Sequence, residues 1–168
     1  AIIGQDPILL TSTLANPAYD YVALGHIHKY QDLNRDHHPP VVYSGSLERI
    51  DFGEEQEDKG FCIVSIEDDA TMPQGRATAF EFVPVPARRF ATIRLAVGAD
   101  EDATEKIVAA CTAADLDDCV VRVLYDLPAG YAIPIDLQRV RQALEPAYYI
   151  ASIQPRFAPV ERQRRSEV

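Results

Sequence analysis

Prolines at alternate positions in Val83-Pro84-Val85-Pro86 split the chain into two stretches with different apolar rhythms. Each proline fixes its own φ and removes a backbone donor, so the tetrad predicts an extended connector where one domain ends and the next begins. Before it, short apolar runs at Asp20 to Leu24, Val41 to Tyr43, Phe61 to Ile66 and Thr78 to Val83 predict strands. Between them, Gln31 to Pro40 is polar and Asp51 to Lys59 strongly acidic, and both are expected to be exposed loops.

After the tetrad the rhythm changes. Ala91, Ile93, Leu95 and Val97 alternate with Thr92, Arg94 and Ala96, as in a strand with one face on a core. Asp102 then stands where an N-cap belongs, with Glu105 three residues on as in a capping box, and Ile107, Val108, Cys111 and Ala114 form a helical stripe. Cys119 to Tyr125 predicts a strand. Asp136 caps a second helix carrying Leu137, Val140 and Leu144, and Pro146 stops it before a last strand from Tyr148 to Ile153. The second stretch is therefore expected to be βαβαβ, an α+β sheet with its helices on one face. The division reads as residues 1–86, residues 87–157, and a polar tail over 158–168.

Composition narrows the class. With 168 residues, 47% of them hydrophobic and 25% charged, the chain has enough apolar material for a core and is neither a disordered tract nor a coiled-coil rod. Its apolar runs fall well short of the roughly 20 residues a membrane span needs. The start, Ala1-Ile2-Ile3-Gly4, has no secretory pattern and reads as a cut inside a longer protein. Cys62, Cys111 and Cys119 are odd in number and set among apolar neighbours, which suits buried free thiols in a reducing cytoplasm. The net charge of -10 weighs against a nucleic-acid partner, yet residues 119–168 carry seven basic and five acidic side chains. A basic end is thus available, although a solvated helix face and a polar tail account for it equally well.

The sharpest chemical signal is Tyr21-Val22-Ala23-Leu24-Gly25-His26-Ile27-His28, an apolar strand running into glycine and two histidines. In an extended segment, residues i and i+2 point the same way about 6.5 Å apart, so two imidazoles can lean toward one centre. That suits a dinuclear site with ions about 3.5 to 4 Å apart, and Gly25 would remove a side chain where backbone and metals come close. Alone, H-x-H is a common pattern. Here Tyr43-Ser44-Gly45-Ser46 follows, then Asp51-Phe52-Gly53-Glu54, then the strand Gly60-Phe61-Cys62-Ile63-Val64.

That ordered set resembles the SbcD family of DNA-break nucleases, bacterial relatives of the nuclease subunit of the MRN complex, within the calcineurin-like metallophosphoesterases. The specific part of the likeness runs from Asp20 to Val64; beyond Val83 it rests on topology. The resemblance implies the C-terminal part of a metallophosphoesterase β-sandwich followed by a small α+β capping domain that helps hold DNA. It implies that His26 and His28 each ligate one of two manganese ions, and that the parent cuts DNA ends exonucleolytically and opens hairpins endonucleolytically in break repair. It further implies a homodimeric parent partnered by SbcC, an SMC-like ATPase. The family's earlier Asp-x-His, Gly-Asp and Asn-His-Asp motifs are all absent ahead of His26. Two histidines are too few to hold two ions, so this chain is expected to be inactive alone.

Other residues carry weaker expectations. Lys29, beside Tyr30, can touch a phosphate or simply be solvated; Ser44 and Ser46 can bind the metal loop or DNA backbone, or merely flank a turn at Gly45. Arg88, Arg89, Arg139 and Arg141 are candidate phosphate contacts of the capping domain. His37 and His38 read as an exposed loop pair. The alternative readings are a non-catalytic DNA-positioning or dimer-supporting module, and a metallophosphoesterase acting on a small phosphodiester. Strands lacking the rest of a sandwich would also leave apolar surface open and favour self-association.

Overall fold

In the computed structural model, which describes residues 9–157, the chain is an α+β protein that falls into two compact units meeting between Ala87 and Arg88. The polar tail and the first residues, including the Ala1 start, lie outside the described residues.

Unit 1 opens with a single helical turn, α1 (Thr11–Leu14), followed by β1 (Val22–Leu24), β2 (Gln31–Asp32) and β3 (Val41–Tyr43). These form a sheet in the order β1-β3-β2, with β1 parallel and β2 antiparallel to β3. Val41 and Val42 are fully buried, as expected of the central strand. A single 3₁₀ turn (Phe52–Glu54) leads to the hairpin β4 (Gly60–Asp68) and β5 (Arg76–Pro84). Tyr30 stacks on Phe82 at 4.3 Å and Tyr21 tilts against Phe80 at 5.8 Å, so aromatic rings tie the β1-β3-β2 sheet to the hairpin.

Unit 2 contains β6 (Phe90–Ala96), α2 (Ala103–Ala113), β7 (Val120–Leu127), α3 (Leu137–Ala143) and β8 (Tyr149–Phe157). Its strands lie in the order β6-β7-β8, all parallel. Val121, Val123, Tyr125 and Leu127 alternate along β7 and meet Ile107 and Cys111 of α2 and Val140 of α3, with Leu144 at that helix's C-cap. Both helices therefore cover one face. Thr104 is buried and its Oγ1 accepts from Asp136 N at 3.0 Å, which joins the start of α3 to α2. Cys111 and Cys119 are buried free thiols, while Cys62 is half-buried; burial pushes Cys111 up to about 11. No helix among the described residues is long and apolar enough to cross a membrane.

Four local expectations need correction. Gln31 to Pro40 is not simply a loop: Gln31 and Asp32 pair with β3, and Pro39 is buried after a cis His38-Pro39 bond, with its carbonyl accepting from Asn34. Asp51 to Lys59 is not wholly exposed, because Glu54 and Lys59 turn inward. Pro84 does not lie in a connector but is the last residue of β5, a position where a missing donor is tolerated. The Gly25 to His28 segment is not extended, because β1 stops at Leu24 and His26 has φ 78°. The simple alternation argument therefore does not set the geometry of the two histidines.

Candidate metal-binding loop

β1 and β3 are parallel neighbours, so the segments leaving their C-terminal ends emerge side by side. The first carries His26 and His28, the second Ser44, Gly45 and Ser46. Gly45, at φ 81°, is pressed against the first: a Cβ there would meet His28 O at 2.9 Å and Tyr30 N at 3.1 Å. Ser46 N donates to His28 O at 3.1 Å, and Gly60 N donates to Ser46 O at 3.1 Å. At Gly25, by contrast, a Cβ would meet nothing within 4 Å, so the close approach lies at Gly45 instead.

Beneath this loop lies a polar network that the sequence reading placed in solvent. Lys59, only 2% exposed, donates to three acceptors: Glu54 Oε2 at 2.7 Å, Glu57 Oε2 at 3.0 Å and His28 O at 3.1 Å. All three ammonium protons thus have partners, which is the condition for burying a lysine. Glu54 Oε1 lies 2.9 Å from His28 Nδ1, and Oε2 also accepts from Ile50 N at 3.3 Å. Burial pushes the Glu54 carboxyl up, but the hydrogen bonds from Lys59, His28 and Ile50 and the charge of Lys59 more than reverse this, holding it down at about 2. An ionised carboxylate only accepts, so Nδ1 of His28 must donate, and in the neutral imidazole Nε2 keeps its lone pair. Arg49 completes the frame, donating to the carbonyls of Glu54 at 3.2 Å and Glu57 at 2.6 Å.

His26, His28 and Lys29 line one shallow cleft of about 340 Å³ with Asp51, Glu54 and Glu57. His26 and Lys29 are exposed there and His28 is half-buried. Ser46 Oγ donates to Glu48 O at 2.8 Å, and Ser44, on the other side of Gly45, is half-buried. His37 and His38 lie apart, exposed beside a hollow that Asp32 and Asp36 also line.

In unit 2 the four candidate arginines do not form a free basic cluster. Arg88 is paired with Asp118 and lies 3.7 Å over the Tyr148 ring. Arg89 pairs with Asp115 at 2.9 Å, and Arg139 with Glu105 at 2.6 Å. Arg141 is exposed on α3.

The residues present fit part of a metal site. A ligating imidazole normally donates its second ring N–H to a carboxylate, and His28 has that partner in Glu54. Among the described residues, however, no three His, Cys, Asp or Glu side chains converge as they would around an ion. The sequence offers Glu54 within Asp51-Phe52-Gly53-Glu54 but not its inward turn, and it does not single out Lys59. The available signal was that Lys59 is the only basic residue in an acidic run and directly precedes a strand. No known protein-family profile matches the chain.

Proposed function

We propose that this chain carries the last metal-binding segment and the capping domain of an SbcD-type, manganese-dependent DNA nuclease. His26 and His28 contribute one ligand each to a two-ion site whose other ligands come from outside these 168 residues. The observation that carries the reading is the Lys59–Glu54–His28 chain of hydrogen bonds. A buried lysine and an ionised glutamate fix one imidazole with its Nε2 as acceptor, an arrangement costly to build for a solvated histidine and useful for a ligand. DNA, an SbcC-type ATPase and a second copy of the parent are the partners that go with this reading, and the chain on its own is inactive.

Manganese titration followed by the histidine ring signals in NMR tests it. Paramagnetic broadening should reach His26 and His28 before His37 and His38, and His28→Ala should weaken the broadening at His26. Earlier broadening of His37 and His38, or equal broadening of all four rings, would overturn the metal role. In that case the non-catalytic DNA-positioning module becomes the better account. A labelled hairpin should remain uncut by the chain alone in manganese.

A further inference from the structure

Unit 1 ends at Ala87, and its last residues are hydrogen-bonded to the segment that seats His28. Val85 N donates to Lys59 O at 2.8 Å, and Ala87 N donates to Val85 O at 2.9 Å. Ala87 O in turn accepts from Arg49 Nη1 at 3.3 Å. The same guanidinium donates from Nε to Glu54 O at 3.2 Å and from Nη2 to Glu57 O at 2.6 Å. One half-buried side chain thus holds main-chain carbonyls of the acidic segment and of the unit's exit together. Beside it, Ile50 N donates to Glu54 Oε2 at 3.3 Å, and Oε1 of that carboxylate lies 2.9 Å from His28 Nδ1.

A guanidinium carries its donors in a rigid planar fork, so carbonyls bound to different nitrogens are fixed relative to one another. The fork cannot follow a displaced Ala87 carbonyl without straining its bonds to Glu54 and Glu57. From this we infer that Arg49 is a positioning residue that couples the chain's exit from unit 1 to the placement of the His28 imidazole. The chain passes from Ala87 directly into unit 2 at Arg88, so a ligand or partner that moves unit 2 acts on that carbonyl first. Coupling of this kind is reciprocal: whatever orders His28 steadies the exit by the same free energy. Lys59 offers a rival route, because its backbone carbonyl binds Val85 while its ammonium binds Glu54. Where manganese enters, the inference rests on the metal role proposed for His28; its metal-free part does not.

Hydrogen exchange of the full chain, followed by mass spectrometry, tests it. Pro84 and Pro86 have no amide proton, so the exit segment reports Val85 and Ala87 alone. In chelator, Arg49→Met and the milder Arg49→Lys should each speed exchange there about fivefold or more, since one ammonium cannot replace the fork. His28→Ala should speed it about threefold in the otherwise unchanged chain and leave it unaltered in the Arg49→Met background, a double-mutant cycle. Proton–nitrogen correlation spectra of the rings should show His28 leaving its Nδ1–H tautomer in Arg49→Met, with His37 and His38 unmoved. Exchange in β7 of unit 2 is the internal control for folding. Manganese should slow exchange at the exit, and should fail to do so in Arg49→Met. Exit exchange indifferent to His28→Ala would overturn the inference. So would an equal response with and without Arg49, which would assign the link to Lys59, or manganese that broadens His26 and His28 without any change at the exit. An intact cycle without manganese binding would instead uphold the coupling and sink the metal role.

Discussion

Lys59 shows how much one side chain decides in this fold. Its side chain is fully buried, and Glu54, Glu57 and the His28 carbonyl stand where solvent would otherwise meet the ammonium. Lys59→Met would leave Glu54 ionised without its main partner, and breaking a buried pair in this way costs about 3–5 kcal/mol. Urea denaturation should show a loss of that order. The acid side carries a second signature. Glu54 is held at about 2 in the folded chain, below the ordinary 4.5, so its contribution is complete above pH 4.5 and is lost as pH falls toward 2. In chelator, Glu54→Gln should flatten the pH dependence of stability across that window. An unchanged slope would show that other carboxylates dominate it. None of this was legible beforehand: a sequence shows that a lysine sits among acids, but not that the chain folds over it.

At the scale of elements, the second half was far more readable than the first. Asp102 Oδ1 accepts from Thr104 N at 2.8 Å and Glu105 N at 3.2 Å, and Asp136 Oδ1 accepts from Gln138 N and Arg139 N at 3.0 and 3.1 Å. Both caps were visible because capping is local chemistry between a short polar side chain and donors two and three residues on. Asp102→Ala should destabilise unit 2 by about 1 kcal/mol, seen as a lower urea midpoint with an unchanged slope. The Glu105 half of the capping box is not used in that way; its carboxylate pairs with Arg139 of α3 instead. That choice could not be read from the sequence, because it depends on α3 lying beside α2. The same limit explains the histidine loop. Alternation predicts geometry only while the strand lasts, and β1 stops at Leu24, with His26 at φ 78° two residues on.

For the whole molecule, the balance of covered and uncovered apolar surface differs between the units. Unit 2 has a contiguous buried core. Unit 1 leaves Leu47, Ile50, Phe61 and Ile63 exposed, and Phe61 and Ile63, two apart on β4, share a face opposite Val83 and Glu81 of β5. Such side chains bind apolar dyes and favour association. Light scattering should therefore show self-association, with bound-dye fluorescence that falls in a Phe61→Ser, Ile63→Thr double variant. A clean monomer without dye binding would contradict this.

What the sequence determined by itself is what depends on near neighbours. Strand and helix positions follow from apolar period, helix starts from caps, and the α+β character from the order of elements. The tertiary structure alone decided which polar groups were buried together, which arginines were already neutralised by Asp115, Asp118 and Glu105, and which sheet face stayed open. The physical reason is the range of the interaction. Hydrogen-bond periodicity acts over three or four residues, whereas desolvating Lys59 against His28 requires two segments 31 residues apart to close on each other.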